Sequence, residues 1–324
     1  MSARGEQVRS EIIHILADGA FHSGQQLGER LAISRVAIAK HVATLAQLGL
    51  EVHSLTGKGY RLAHPLTLLD EQHIKHHLHR PDTPLNLHHV VGSTNDIIKQ
   101  QIGHWPSGAV CLAEAQTAGR GRQGKSWLSP FASSLYLSMY WNFTLGYQQI
   151  SGLSLVVGVA IASTLKRLNI NNVGLKWPND VYVNGKKIAG VLVELEGQVG
   201  GECHAIIGTG LNIRLPQQAE QIDQPWTDVA NELSGEVDRN QLCANLINEL
   251  QRCLTDFEAR GFTPLLEQWR AFDYLADQPV SLLAGQQVIE GVARGVNNQG
   301  ALLIDTPSGQ RTFYGGEVSV RRRT

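Results

Sequence analysis

The segment Gly119-Arg120-Gly121-Arg122-Gln123-Gly124 places two guanidinium groups on a backbone punctuated by glycine. Arginine offers paired N–H donors to carboxylate or phosphate oxygens, and glycines let a loop fold over a ligand. The spacing also satisfies GxGxxG, a dinucleotide-binding pattern that requires a strand before it and a helix after it. A strand precedes, but Ser126 to Pro130 and the run SLYLSMYW follow, so no helix N-terminus is available to hold pyrophosphate. The Rossmann reading fails. An exposed basic loop or an RGG-like RNA tether is the plainer alternative, against which stands the loop's position between two apolar strands.

A second cluster is Lys176-Trp177-Pro178-Asn179-Asp180, with Lys187 just past Asn184-Gly185. A hairpin turning at Asn-Gly sets Lys176, Asp180 and Lys187 on neighbouring strands, a cationic site with one carboxylate. A third is Gly92-Ser93-Thr94-Asn95, where hydroxyl and amide side chains open a helix; capping alone would account for them.

These groups need a scaffold. From His88 to Ile213 the chain is strand-rich, with short apolar segments at 109–116, 134–141, 175–177, 181–183, 188–195 and 204–213. Helices are expected over 94–102, 150–168 and 239–260, and near 264–272. Residues 278–323 return to short strands with Gly-rich turns, the pattern of a small separate β-barrel. Ahead of the core, 63–84 reads as a linker containing the run HIKHHLH. Its His73 and His77 have the i,i+4 spacing of metal ligands, but no Cys or acidic residue completes a set, and no metal is assigned.

The N-terminal stretch has its own logic. Val8, Ile12, Ile15 and Leu16 share one helical face; Ser23 caps a short second helix and Ser34 a third, in which Ile38, Val42, Leu45 and Leu48 form the buried stripe. Val36, Lys40, Ala43 and Gln47 point the other way, Arg35 sits in the first turn, and Gly49 ends the helix. Residues 50–62 read as two strands around Thr56-Gly57-Lys58-Gly59. Three helices and a hairpin make a winged helix-turn-helix, whose third helix enters the major groove while the wing meets the backbone. Ser34, Arg35, Val36, Lys40, Lys58 and Arg61 are then the DNA-contact candidates; a helical module for protein contacts is the alternative.

Net charge is -1 over 324 residues, so any nucleic-acid contact is local. Residues 1–64 carry seven Lys/Arg against five Asp/Glu, which permits such a surface. An apolar fraction of 42% with 18% charged residues suits a soluble globular chain of two or three domains, divided here as 1–64, 65–272 and 273–324. Cys111, Cys203, Cys243 and Cys253 lack CxxC spacing and read as buried thiols in a reducing compartment. No uninterrupted apolar run marks a signal peptide or membrane span. The expected location is the cytoplasm.

GSTN at 92–95, EAQTAGRGRQGKSW at 114–127, LKWPND at 175–180, KKIAGVLVE at 186–194 and IGTGLNI at 207–213 resemble the ordered motifs of bacterial biotin–protein ligases. With the winged N-terminus and the segment GGEVSV near the C-terminus, essentially the whole chain is similar to the two-function class, the biotin operon repressors. Gln123 and Lys125 stand where that class commonly has arginines. The resemblance implies an α/β (α+β) chain: a winged helix-turn-helix, a class II synthetase-like catalytic domain with a mixed sheet, and an SH3-like C-terminal barrel. It puts Ser93, Thr94, Asn95 and Gln116 around the biotin ureido ring and Arg120, Gly121 and Arg122 on a ligand-ordered loop. Lys187 falls on the biotin carboxylate or α-phosphate, and Trp226 against adenine. Lys176, Asn179, Asp180 and Gly190 complete the adenylate-binding set, with Lys187, Arg122 and Arg120 as catalytic cations. It further implies ATP with Mg2+, biotin as substrate, the biotin carboxyl carrier protein of acetyl-CoA carboxylase as acceptor, operator DNA and a homodimer, which the alternating apolar strand 188–194 would form edge to edge. Two other readings stand beside it. One is a ligand-sensing transcription factor without activity, against which the intact Lys187 and loop arginines argue. The other is a related acyl ligase for lipoate or another short carboxylic acid; the polar ring-binding set suits a ureido group better than a dithiolane.

Overall fold

The computed structural model describes residues 3–144, 150–197, 201–216, 222–285, 287–315 and 318–322. At the N-terminus, α1 (Ala3–Leu16), α2 (Gly24–Leu31) and α3 (Arg35–Leu45) precede a hairpin of β1 (Val52–Leu55) and β2 (Gly59–Leu62). Ser23 caps α2 through a reciprocal box with Gln26. The Ser34 hydroxyl accepts the Ala37 N–H at 3.2 Å to start α3. Ile38, Val42 and Leu45 face the interior with Ile12, Leu16 and Leu27, while Arg35, Val36, Lys40, Ala43 and Gln47 are exposed. A 3-10 turn, Ala46–Leu48, ends at Gly49 with φ of 79°.

The central sheet is built from β3 (Leu85–Val91), β4 (Val110–Gln116), β5 (Ser134–Phe143), β6 (Val173–Lys176), β7 (Asp180–Val183), β8 (Lys186–Gly197) and β9 (Cys203–Asn212). Its order is β3-β4-β5-β9-β8-β7-β6, with β3 parallel to β4 and the other pairs antiparallel, so the sheet is mixed. The helices are α4 (Glu71–His76), α5 (Thr94–Gln100), α6 (Leu153–Arg167), α7 (Val229–Glu232), α8 (Arg239–Arg260) and α9 (Thr263–Ala271). Side chains alternate across each strand. Leu135, Leu137 and Met139 of β5 pack with α6 and α8 in the main core, whereas Tyr140 on the other face meets Ile98 of α5. That second face carries the site.

The stretch read as a linker is held to the catalytic body from Thr67 onward. Arg239 donates to Thr67 O at 2.6 Å, Asn240 takes Leu68 O at 3.1 Å and Asn248 takes His77 O at 3.0 Å, and Ile74 is buried in the main core. Side-chain amides of α8 thus do what a strand ladder would do elsewhere. An acidic group does approach the histidine run, with Asp238 Oδ2 3.5 Å from His73 Nε2. Even so, among the described residues no group of three or more His, Cys, Asp or Glu could hold a metal.

The C-terminal strands β10 (Pro279–Ala284), β11 (Gln287–Val296), β12 (Leu302–Thr306), β13 (Gly309–Phe313) and β14 (Val318–Arg322) form one antiparallel sheet. It is a sheet of its own, as expected, and it packs closely on the catalytic body. Val280, Leu282, Ala293, Val296, Leu302 and Ile304 are continuous with the main core, and the buried Trp177 indole N–H donates to Gly300 O at 3.0 Å. The winged helix is similarly joined: Ala115, Phe131 and Ala132 lie in its hydrophobic cluster, and the Phe131 N–H donates to Leu48 O at 2.9 Å. Of the GGEVSV segment, Gly316 and Glu317 lie outside the described residues. Among the described residues no helix is long and apolar enough to cross a membrane.

Candidate functional site

One cleft of about 920 Å³ on the second face of the sheet gathers all thirteen residues singled out for a ligand: Ser93, Thr94, Asn95, Gln116, Arg120, Gly121, Arg122, Lys176, Asn179, Asp180, Lys187, Gly190 and Trp226. Its floor owes its shape to glycine. Gly190 and Gly210 are register partners on β8 and β9, and a Cβ on them would come within 3.0 Å and 2.5 Å of the Trp127 ring. A Cβ on Gly208 would stand 2.5 Å from Asn95 Oδ1. In IGTGLNI the two glycines are two residues apart and so open the same face.

At one end the side chains are neutral and polar. Ser93 begins α5 without a side-chain capping bond. Gln116 Oε1 accepts from the Thr94 N–H at 2.9 Å and the Thr94 hydroxyl at 3.2 Å. Ser138 Oγ lies 2.7 Å from Thr94 Oγ1 and 2.6 Å from Asn95 Oδ1. These hydroxyls and amides are therefore ordered by one another, and capping does not explain them. Such a fixed set of donors and acceptors suits an uncharged ring of amide character.

At the other end charge dominates. Lys176 is the register partner of Asp180 across β6 and β7 and donates to the Tyr182 hydroxyl at 3.3 Å, and a bulge lets Lys187, opposite Tyr182, reach Asp180 Oδ1 at 2.7 Å. The Lys187 ammonium also sits 5.4 Å over the Trp127 ring. Arg122 donates to Asn179 Oδ1 at 3.1 Å and to Val318 O at 3.4 Å, which brings the C-terminal sheet into the wall. Burial weighs against the charge on Arg122, an effect Asp180 partly offsets. Burial likewise holds the Lys176 ammonium below the ordinary lysine range, with Lys187, Arg321 and Lys125 adding repulsion and Asp180 opposing them. Cations crowded against one carboxylate form a socket for a multiply charged anion. Trp226 bridges Lys187 backbone to backbone. Arg120 is the exception, since both its terminal nitrogens lie on Asp96 of α5, at 2.9 and 2.6 Å.

Some lining residues escaped sequence reasoning. Trp127 stood in a quoted motif, and its place beside the cationic loop was the available signal. Arg321 belongs to the C-terminal run RRR and carries no local signal; Asp96, which stands beside the cleft and not in its lining, was not singled out either.

Fold and cleft together define an acid-activating ligase of the biotin/lipoate class with a helix-turn-helix attached. Residues 87–212 match the biotin/lipoate A/B protein ligase family, 276–321 the biotin protein ligase C-terminal domain and 8–61 a helix-turn-helix domain. The chain is 43% identical over 311 residues to the bifunctional ligase/repressor BirA of Salmonella typhimurium, covering 96% of each chain. It is 32% identical over 235 residues to the biotin–[acetyl-CoA-carboxylase] ligase of Mycobacterium tuberculosis, covering 70% of this chain and 85% of that one. Biotin protein ligase from Aquifex aeolicus, solved with biotin and ATP, superposes with a TM-score of 0.65 at 29% identity over 74% of this chain and 99% of that one. The chain belongs to the biotin–protein ligase family, in its bifunctional ligase/repressor branch.

Proposed function

We propose that the cleft activates biotin with ATP and passes it to a protein lysine. The biotin carboxylate oxygen attacks the α-phosphorus of ATP, which arrives with Mg2+ on its own phosphates; pyrophosphate leaves and biotinyl-5′-adenylate remains. The acceptor lysine amine then attacks the acyl carbon, forming an amide and releasing AMP. The observation that carries this reading is the polarity of one continuous cleft: neutral donors and acceptors at Thr94, Asn95 and Gln116, cations at Lys176, Lys187 and Arg122. The first end suits a ureido ring, the second an acyl phosphate. Lys187 and Arg122 offset charge that builds as pyrophosphate departs, and Trp226 is assigned to the adenine.

The acceptor is the biotin carboxyl carrier protein of acetyl-CoA carboxylase, a choice supported by the Mycobacterium relative's specificity. The adenylate serves as corepressor: it favours a homodimer that reads operator DNA through Ser34, Arg35, Val36, Lys40, Lys58 and Arg61. Val36, 68% exposed near the start of α3, is an apolar group that water alone does not explain. The cytoplasm, where carrier and operator are found, is the expected location.

The test is transfer of labelled biotin to a carrier domain, with pyrophosphate release measured in parallel. Lys187→Ala should lower adenylation by about two to three orders of magnitude, the typical effect of removing one transition-state partner. The circular dichroism spectrum should stay native. Pyrophosphate release at the wild-type rate would refute the assignment.

A further inference from the structure

The glycine-rich loop is a small hydrogen-bonded hairpin. Trp127 N–H donates to Gly119 O at 2.9 Å and Gly121 N–H to Lys125 O at 2.7 Å, and Arg120 bridges Ser126 between them. Its root is fixed, with the Thr117 and Ala118 N–H groups on Val91 O and Gly92 O at 2.9 and 2.8 Å. Arg122 ties one flank of it to Asn179 and Val318, and Arg120 ties the other to α5. Arg120 grips Asp96 with both terminal nitrogens, and Glu194 Oε2 on β8 stands 3.6 Å behind. Glu194 also accepts from Asn95 Nδ2 at 2.6 Å, linking this grip to the polar end of the cleft. Lys99, one turn along α5, pairs with Glu196, a second link between the helix and β8.

Arg120 is 36% exposed, Asp96 41% and Glu194 32%. A lone ion pair at such exposure contributes little. Bidentate guanidinium–carboxylate geometry within a network of several charges is the recognised exception. The pairing also separates two roles that sequence reasoning merged: Arg122 and Lys187 stand with Asn179 and Asp180 at the charged end of the cleft, whereas Arg120 is turned to Asp96.

We propose that Asp96, backed by Glu194, is a positioning residue that latches the loop shut through Arg120 and sets how long the acyl-adenylate is retained. The inference rests on the adenylation reading above. Retention would then be governed separately from chemistry. Arg120 holds the Asp96 carboxyl below its usual range, so the latch stays ionised, and retention flat, across neutral pH.

The experiment uses the full chain with biotin and α-labelled ATP and reads two quantities. One is the burst rate of pyrophosphate release; the other is the half-time for loss of labelled adenylate on rapid desalting. Asp96→Asn should shorten the half-time about tenfold, the loss of one charge-assisted hydrogen bond, and leave the burst rate nearly unchanged. Asp96→Glu should restore most of the retention. Adding Asp96→Asn to Arg120→Ala should shorten retention no further than Arg120→Ala alone. An unchanged half-time in Asp96→Asn, additive losses in the double variant, or a burst slowed as much as retention is shortened would each overturn the latch. Wild-type protein that forms no adenylate would remove the ligase reading itself.

Discussion

Lys176 shows how a cation proposed to bind the nucleotide is held at a cost to the free protein. Burial lowers its pKa, so the folded chain binds its proton less tightly than the unfolded chain does. The destabilisation is fully present below the folded pKa and is relieved as pH rises through it. Lys176→Met should therefore raise the thermal midpoint by a few degrees, an effect of about 1 kcal/mol in a chain of this size, while weakening apparent ATP affinity. Differential scanning fluorimetry and the KM for ATP measure the two effects. A ligand anion opposes the shift, so affinity should also fall as pH rises toward the ordinary lysine range. A lower midpoint would show that Lys176 holds the fold together.

At the scale of elements, the glycine trough is the part most open to challenge. Gly210→Ala puts a methyl 2.5 Å from the Trp127 ring, and overpacking of that kind typically costs about 1–3 kcal/mol. The ring must move, taking its loop and the face beneath Lys187 with it. Tryptophan emission should shift to longer wavelength and the KM for biotin should rise, with the helical signal unchanged. Unaltered emission and KM would show that Trp127 does not rest on the trough.

Elements with local signals were legible in sequence. The helix expected at 239–260 is Arg239–Arg260, between the Asp238 cap and Gly261. The strand β3, LNLHHVV, was overlooked because it is a half-exposed edge with polar residues on both faces. The segment from Thr67 read as a linker because its partners, Arg239, Asn240 and Asn248, lie about 170 positions away in sequence and leave no periodicity behind. Within the site, the motifs identified the cleft's residues, but which carboxylate each cation would choose was not readable. Asp96 and Arg120 meet only because α5 and the loop cross in space.

At the scale of the molecule, the strand expected to pair edge to edge is only partly an edge. Its first residues are covered by β7 as far as Gly190 and Val191 is covered by Asn179, and beyond it the ladder continues with β9 alone. Backbone groups left on that side support pairing with a second copy, with Leu195, 39% exposed, at the seam. Sedimentation should show the mass doubling when biotin and ATP are added. Leu195→Lys should hold the chain as a monomer that still releases pyrophosphate. Constant mass on adding ligand would count against the dimer, and with it the proposed route to the operator.

Ala115, Phe131 and Ala132 belong to the sheet and its loop, yet they complete the hydrophobic interior of the winged helix. Phe131 is therefore subject to two sets of constraints at once. A variant there that loosens DNA reading also disturbs the strand leading out of the glycine-rich loop, and one that suits the enzyme must still fit beneath α3. At this seam the two halves of the chain share one packed interior. They inherit each other's damage.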